Sequence, residues 1–230
     1  MRNTKLVFIE GLPGSGKTTT AGILAAMLAQ RGIAASCFLE DQAEHPLNVG
    51  GALHPAGRTP GAALFARYAP EAYVDESLQR WRAYVTAAEA ADAVQILESY
   101  PYQNSVRILL QMDDPIDHIR AYASAVEDLV LPLRPVLVYL ERRDQTGALQ
   151  AIAAQRGADW TAFVAELVSD SPLGRRQGLQ GIEGALAFMS DYKAVIDELL
   201  RVSRLPRLVL VDCAGQWENC HRQILEFLEV

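Results

Sequence analysis

Short apolar runs bounded by glycine, proline or polar residues recur along the chain, and stretches with helical periodicity separate them. Such runs are typical of buried strands, and parallel strands need helical crossovers between them, so the pattern predicts a parallel sheet covered by helices. The predicted strands lie at residues 5–10, 34–39, 93–97, 135–140 and 208–211. The expected fold is therefore a single α/β domain, a three-layer α/β/α arrangement around a five-stranded parallel sheet. Ligands of such folds bind beyond the carboxyl ends of the strands.

Apolar residues spaced three and four positions apart predict the helices. The first helix runs from Thr18 to Arg31 and ends at Gly32, a residue type favoured just after a helix. Four later stripes, which include Trp81, are interpreted as surfaces that face the core rather than a cofactor. They start at Val74, Ile116, Leu186 and Trp217.

Residues 11–18 read Gly-Leu-Pro-Gly-Ser-Gly-Lys-Thr, between the first predicted strand and the first predicted helix. This is the pattern of a P-loop, in which successive backbone N–H groups surround a polyphosphate and the lysine adds a cation. The Thr18 hydroxyl is the predicted ligand for Mg²⁺. The flanking strand and helix argue against a glycine-rich turn that binds nothing. The residues predicted to bind ATP here are Gly11, Pro13, Gly14, Ser15, Gly16, Lys17, Thr18 and Thr19.

Composition limits the partners. The chain has 230 residues, of which 21 are basic and 28 acidic, a net charge of −7. This balance argues against a nucleic-acid polymer or an anionic membrane as the main partner, and it allows a small phosphorylated ligand. Cys37, Cys213 and Cys220 are too few and too irregularly spaced for a disulfide framework or a zinc site, so they are expected to be small core residues in a reducing compartment. With no signal peptide or membrane span apparent, we expect a cytoplasmic protein.

Two segments interrupt the regular pattern. Residues 41–70 are rich in glycine, proline, alanine and histidine, and they form the expected acceptor-binding loop, in which His45 and His54 could meet the acceptor. Residues 156–184 form the expected lid, because residues 170–184 hold one proline, four glycines and a pair of arginines. Long irregular segments in a compact domain are usually lids or binding loops, with disorder as the alternative.

Several P-loop classes are excluded by motifs that the sequence lacks. The guanine-specificity motif Asn/Thr-Lys-x-Asp does not occur, nor does the Leu-Ser-Gly-Gly-Gln signature of transporter ATPases. A dinucleotide-binding fingerprint also fails, because Gly14-Ser15-Gly16 continues into Lys-Thr-Thr without the third glycine. Small-molecule kinases remain.

The chain resembles the thymidylate kinases and their nucleoside and nucleotide kinase relatives. Residues 8–11, Phe-Ile-Glu-Gly, resemble the family's Phe-x-Glu-Gly opening, and residues 97–100, Leu-Glu-Ser-Tyr, stand where thymidylate kinases carry Asp-Arg-Tyr. Residues 136–140 and the helix and basic segment after them are similar to the family's fourth strand and lid. Residues 209–215 resemble the last strand and the loop that contacts adenine, which implies base contacts from Ala214 and Gly215.

Two departures from the family leave the acceptor open. Ser99 stands where the family has arginine, and Glu40-Asp41-Gln42 lacks the Pro-Gly-Gly that follows the second-strand glutamate in thymidylate kinases. An acceptor hydroxyl needs a base, whereas an acceptor phosphate needs an arginine near Ser99. The candidates therefore range from nucleosides and nucleoside monophosphates to sugars, antibiotics and other alcohols.

Phosphoryl transfer depends mainly on positioning and on positive charge around the moving group. Glu98 ends a buried strand and is either the general base or a carboxylate that supports Mg²⁺; a carboxylate that caps the next turn is the structural alternative. Glu40 and Asp41 could receive the acceptor, bind metal through water or act as the base, although a solvated loop pair remains an alternative.

The cations that could close over the transferring phosphoryl group are Arg175 and Arg176 in the lid, with Arg142, Arg143 and Arg156 as competitors. For the acceptor pocket, the resemblance implies only a location. The residues at that location are Tyr100, Gln103, Asn104, Arg107 and Gln111.

The sequence thus predicts an ATP- and Mg²⁺-dependent small-molecule kinase, with Lys17, Glu98, Arg175 and Arg176 as its catalytic residues. Two alternatives stay open: a nucleotide-dependent regulator that acts on a protein partner, and a degenerate relative that binds nucleotide structurally. The predicted partner is a small-molecule phosphate acceptor, and a homodimer is an open possibility.

Overall fold

The computed structural model describes residues 3–42, 44–50 and 65–230. Five strands form one parallel sheet in the order β2-β3-β1-β4-β5, so the expected α/β/α P-loop fold is confirmed. Each observed strand begins and ends within one residue of its predicted bounds. The strands are β1 (Leu6–Gly11), β2 (Ala35–Phe38), β3 (Val94–Glu98), β4 (Val136–Glu141) and β5 (Arg207–Val211).

Besides the helical residues 65–67, nine α-helices lie in the described part of the chain. They are α1 (Lys17–Gln30), α2 (Pro70–Ala90), α3 (Arg107–Gln111), α4 (Ile116–Val130), α5 (Gln145–Arg156), α6 (Ala158–Ser169), α7 (Pro172–Gln177), α8 (Gly181–Val202) and α9 (Trp217–Leu228). A short π-helical segment, Tyr102–Val106, leads into α3. All predicted helices are present, and α1 ends just before Gly32, as expected.

Two hydrophobic cores cover the two faces of the sheet. Successive side chains of a strand point to opposite faces, so Leu6 and Phe8 join the core under α2, α4 and α8, whereas Val7 and Ile9 join the core under α1 and α9. Trp81 is fully buried and packs edge-on against Phe8, which confirms that it is a core residue. Because helices cover both faces, the central strands read as continuous apolar runs.

The segment 170–184 is mostly helical, so the expectation of an irregular stretch is wrong. Ser171 caps α7 through a hydrogen bond from Gly174 N to its Oγ, and Pro172 occupies the first helical position. Gly178 then ends the helix in the left-handed conformation. The predicted lid 156–184 consists of α6, α7 and the start of α8.

The predicted acceptor-binding loop is described in part. Residues 41–42 and 44–50 follow β2 as turns, and α2 begins at Pro70. His54 and the rest of residues 51–64 lie outside the described residues.

Cys213 and Cys220 are buried, as expected, but they are joined by a disulfide, so the expectation that the cysteines are only small core residues is wrong for this pair. The bond links the end of β5 to the first turn of α9. Cys37 is free and only partly buried. Among the described residues, no helix combines the length and the apolar character needed to cross a membrane.

Candidate active site

The loop between β1 and α1 has the backbone conformation of a phosphate cradle. Gly11, Gly14 and Gly16 have φ angles of 149°, 79° and 94°. A Cβ atom at Gly11 would lie 2.4 Å from the Leu140 carbonyl oxygen, and one at Gly16 would lie 2.3 Å from the Trp217 ring. The chain therefore needs glycine at both positions. Among the described residues, no side chain caps the start of α1, so its first N–H groups are available to an anion.

Lys17 lies over this loop, and only 5% of it is exposed. Its Nζ donates to the Leu12 carbonyl oxygen at 3.2 Å and to Gln103 Oε1 at 2.5 Å. Both acceptors are uncharged, so a phosphate oxygen that enters the loop offers the ammonium group a stronger partner.

Glu98 joins three elements at the carboxyl edge of the sheet. Its Oε1 accepts from Thr18 Oγ1 at 3.2 Å and from Ser99 Oγ at 2.7 Å, and its Oε2 accepts from Glu40 N at 2.8 Å. Because β1 lies between β3 and β4, the end of β3 reaches the P-loop directly. Thr18 and Glu98, the two residues predicted to support Mg²⁺, are therefore hydrogen-bonded to each other, while their role toward the metal stays a prediction.

The residues around Thr18 and Glu98 fit Mg²⁺, which prefers oxygen ligands and keeps several waters. Among the described residues, no group of three or more His, Cys, Asp or Glu side chains is arranged to hold a metal. A site with one hydroxyl and one carboxylate suits an ion that is completed by phosphate oxygens and water, and it does not suit a metal held by protein ligands alone.

Glu40 follows β2 on the same edge and faces Gln103. Its Oε2 accepts from Gln103 Nε2 at 2.5 Å. Burial, followed by the charge of Glu98, raises the pKa of the Glu40 carboxyl, while Arg107 and Lys17 oppose that rise. A carboxylate with a raised pKa accepts a proton from a hydroxyl more readily than an ordinary one.

Gln103 thus connects the P-loop lysine to Glu40, and Glu10 holds the backbone that carries it. Glu10 is fully buried, and its carboxylate accepts from Tyr102 N at 2.6 Å and from Gln103 N at 3.3 Å. Burial raises the pKa of Glu10 to about 8, although these two hydrogen bonds and Lys17 act in the opposite direction.

A cavity of about 760 Å³ is lined by the carboxyl edge of the sheet, the P-loop and the neighbouring helices. This size lies in the range of small-molecule sites. The predicted site residues that line it are Pro13, Gly14, Gly16, Lys17, Thr18, Thr19, Glu40, Asp41, Glu98, Gln103, Arg107 and Gln111. Asn104 also lines it.

The arginines that line the cavity are not the ones predicted to act in catalysis. Arg175 and Arg176 are exposed on α7 and do not line the cavity, and Arg176 forms an ion pair with Asp113 at 2.5 Å. Of the three predicted competitors, Arg143 is exposed and does not line the cavity, whereas Arg142 and Arg156 do. They flank α5, whose Ala148 carbonyl oxygen would lie 3.2 Å from a Cβ atom at Gly14, so this helix lies against the P-loop.

Five other predicted site residues lie outside the cavity lining, namely Gly11, Ser15, Tyr100, Ala214 and Gly215. Tyr100 is buried behind it, donates to Asn48 Oδ1 at 2.6 Å and stacks on His45 with ring centroids 4.3 Å apart. Ala214 and Gly215 are exposed in the loop after β5. Their predicted contact with adenine stays a prediction.

The sequence analysis missed the apolar side of the cavity. Trp160, Phe163, Val164 and Leu167 of α6 line it together with Phe188 and Met189 of α8. The α6 residues recur at positions i, i+3, i+4 and i+7, a helical stripe that was visible in the sequence. Because this segment belongs to the predicted lid, the stripe is not among the helical stripes that the sequence analysis identifies.

Comparison with known proteins adds little beyond the fold. No family model and no curated protein matches the sequence. Among solved structures, the chain is similar to thymidylate kinase from Candida albicans, with 15% identity over 98% of this chain and 91% of that one and a TM-score of 0.49. A likeness this distant carries no argument about substrate or mechanism, and the fold class rests on the strand order and the P-loop described above.

Proposed function

We propose that the protein is an ATP- and Mg²⁺-dependent kinase that transfers the γ-phosphoryl group to a hydroxyl of a small molecule. One observation carries this proposal: the P-loop lysine and two strand-end carboxylates, Glu98 and Glu40, line the same cavity. A protein that only binds Mg-ATP can use the lysine and a carboxylate that supports the metal, whereas transfer to a hydroxyl also uses a second carboxylate that takes up the proton.

Each of these residues has a distinct proposed role. The P-loop N–H groups and Lys17 hold the β- and γ-phosphates, and Lys17 exchanges Gln103 for a phosphate oxygen. Thr18 and Glu98 hold Mg²⁺ directly or through water, and the ion supplies positive charge to the phosphate oxygens. Arg142 and Arg156 line the cavity, and we assign to them the role of stabilising the transferring group that was first predicted for Arg175 and Arg176.

Glu40 is the proposed general base, which leaves Glu98 to support the metal. Glu98 accepts hydrogen bonds from Thr18, Ser99 and the backbone of Glu40, so both of its oxygens are engaged. The raised pKa of Glu40 favours proton uptake. In the reaction the acceptor oxygen forms a bond to the γ-phosphorus, its proton passes to Glu40, and the bond to the β-phosphate oxygen breaks to release ADP.

A hydroxyl acceptor fits this edge better than a phosphate acceptor. Ser99 stands where the resembled family has arginine, and its hydroxyl donates to Glu98. An acceptor phosphate would approach three carboxylates, those of Glu40, Asp41 and Glu98. Repulsion between these carboxylates and the negatively charged phosphate would oppose its binding.

The test is ADP release from Mg-ATP by the purified protein with pooled nucleosides, nucleoside monophosphates, sugars, aminoglycosides and aromatic alcohols. Lys17→Met keeps the length of the side chain and removes its charge, so it serves as the blank, with circular dichroism to check its fold. We expect one pool to stimulate release well above the blank. If wild type and Lys17→Met release ADP equally with every pool, the kinase proposal is wrong.

A further inference from the structure

The cavity that holds the carboxylates also has an apolar wall, made by α6 and α8. We use this term for Trp160, Phe163, Val164, Leu167, Phe188 and Met189, all of which line the cavity. Phe188 is buried in the main core, whereas Trp160, Phe163, Leu167 and Met189 keep part of their surface exposed. This exposed carbon surface faces the interior of the cavity, where a bound molecule can cover it.

Core packing alone does not account for this wall. Val164 and Met189 already pack against the core beneath them, yet both also line the cavity. An apolar ligand that covers the remaining surface gains hydrophobic free energy, and the partly exposed rings of Trp160 and Phe163 favour a flat aromatic ligand through stacking and edge contacts. The Arg156 guanidinium lies 5.6 Å from the centroid of the Trp160 ring, so Trp160 offers the ligand the rest of its surface. A highly hydroxylated ligand would instead lose hydrogen bonds to water there.

The carboxylates at the strand edge disfavour an anionic acceptor there, and three of the four described cations that line the cavity, Lys17, Arg142 and Arg156, are the ones proposed above to act on the nucleotide phosphates. Glu40, Asp41 and Glu98 line the strand edge, and Arg107 is the lining cation beside Gln103. The Arg107 guanidinium is already engaged, because its Nε donates to the Gln103 carbonyl at 2.9 Å and its Nη1 donates to Gln111 Oε1 at 2.8 Å. Gln111 is fixed in turn by a bond from its Nε2 to the Leu167 carbonyl at 3.2 Å. These bonds link Arg107 to the π-helical segment through Gln103 and to α6 through Gln111.

We propose that the acceptor is an uncharged alcohol whose hydroxyl reaches Glu40 and whose apolar, aromatic body lies against the wall. The inference rests on the proposed kinase function and narrows its substrate class. It distinguishes this site from one for nucleoside monophosphates, sugars or polycationic antibiotics, because those ligands would bring charge or many hydroxyls to a carbon surface.

The experiment measures binding separately from transfer. Isothermal titration calorimetry is performed with Mg²⁺ and a non-hydrolysable ATP analogue present, and naphthylethanol serves as the probe. Two matched comparisons isolate the features in question: ethylene glycol has the hydroxyl without the apolar body, and thymidine is compared with thymidine monophosphate. ADP release with Mg-ATP is then recorded for each compound.

Near-isosteric variants test where the probe binds. Val164→Thr and Met189→Gln each place a polar group in the wall, on two different helices. Ala162→Ser adds a hydroxyl on the exposed side of α6 and is the matched control. Burial of an unpaired hydroxyl or amide against the ligand should weaken probe binding about tenfold in both wall variants. Probe binding to Ala162→Ser should equal that of the wild type. The affinity for the ATP analogue should be the same in all of these proteins.

The outcomes separate the two proposals. Naphthylethanol binding that exceeds ethylene glycol binding and weakens in both wall variants supports the acceptor class, and it does so even if no phosphoryl transfer occurs, in which case only the kinase proposal fails. Tighter binding of thymidine monophosphate than of thymidine and naphthylethanol overturns the acceptor class. Probe binding that is unchanged in the wall variants also overturns it, and phosphorylation of a polar acceptor in that case would leave the kinase proposal standing.

Discussion

Glu10 makes the stability of the protein depend on pH in a way that one substitution should remove. The carboxyl group is fully buried at the end of β1, beneath the P-loop. Burial raises its pKa from 4.5 to about 8. Between these two values the folded protein holds a proton that the unfolded chain has released, so the free energy of unfolding falls as pH rises.

The magnitude follows from the size of the shift. A change from 4.5 to about 8, at 1.36 kcal/mol per pKa unit, corresponds to about 5 kcal/mol of stability. This stability is fully present below the unfolded pKa and is lost as pH rises through the folded pKa. Between pH 5 and pH 8 the loss amounts to about 3.5 kcal/mol. Glu10→Gln keeps an acceptor for Tyr102 N and has no proton to lose.

The assay is urea unfolding of the wild type and of Glu10→Gln from pH 5 to pH 9. The difference between the two proteins is the quantity to compare, because other groups also titrate. His45 acts in the opposite direction, since burial lowers its pKa to about 4 and stability rises as pH increases toward the unfolded value. We expect wild-type stability relative to the variant to fall by about 3.5 kcal/mol between pH 5 and pH 8.

Two results would refute this reasoning. A constant difference between the proteins would show that Glu10 titrates alike in the folded and unfolded states. Wild-type stability that rises with pH relative to Glu10→Gln would show that the carboxylate is ionised in the folded protein and stabilised by the Tyr102 and Gln103 amides. In that case the hydrogen bonds would outweigh the cost of burial.

Three further predictions concern the cavity and the disulfide. Glu40→Gln should lower kcat roughly 100- to 10,000-fold with little change in the KM for ATP. Glu98→Gln should instead raise the Mg²⁺ concentration needed for half-maximal activity. If the two variants gave the same ATP and Mg²⁺ titration curves, the proposed division of roles between Glu40 and Glu98 would be wrong. Gln103→Ala removes a donor from Glu40 and should move the acidic limb of the kcat/KM profile to higher pH, because a carboxylate that loses a hydrogen bond is protonated more easily; an unmoved limb would exclude Glu40 as the titrating base. Reduction of Cys213–Cys220, which are seven positions apart, should lower the urea-measured stability by about 2 kcal/mol, and equal stability with and without dithiothreitol would show that the bond does not form in solution.

The sheet and the P-loop could be predicted because their signals are local. The run from Leu6 to Ile9 is buried on both faces, so it is uniformly apolar, and the glycines after it are dictated by backbone contacts such as that of Gly11 with Leu140. Strand ends in a parallel sheet meet at one edge, and this rule placed Glu98 and Glu40 near the P-loop before any contact was known.

The helices after β4 were harder to predict, because their signals were present but ambiguous. Pro172 and Gly178 suggested irregular backbone, yet they occupy the first position and the end of α7, where proline and glycine are favoured. Which arginine faces the cavity depends on how these helices pack. Arg176 instead pairs with Asp113 in the turn after α3, a contact that sequence spacing does not reveal. The disulfide likewise needed the turn after β5 to bring Cys220 back toward Cys213.

In the proposed site, the residues that act on the phosphate and the residues that contact the acceptor lie on different elements. The sequence motifs cover only the first group, so they do not identify the acceptor. The groups proposed to act on phosphate and proton lie on the P-loop and strand ends, where hydrogen bonds such as those of Glu98 fix them. The apolar wall lies on α6 and α8, which can exchange one carbon side chain for another without disturbing those bonds. Changes at the strand edge should consequently alter the rate for every acceptor, while changes in the wall should alter which acceptor binds. A wall variant that lowered kcat for a small, poorly bound alcohol as much as for an aromatic one would contradict this separation.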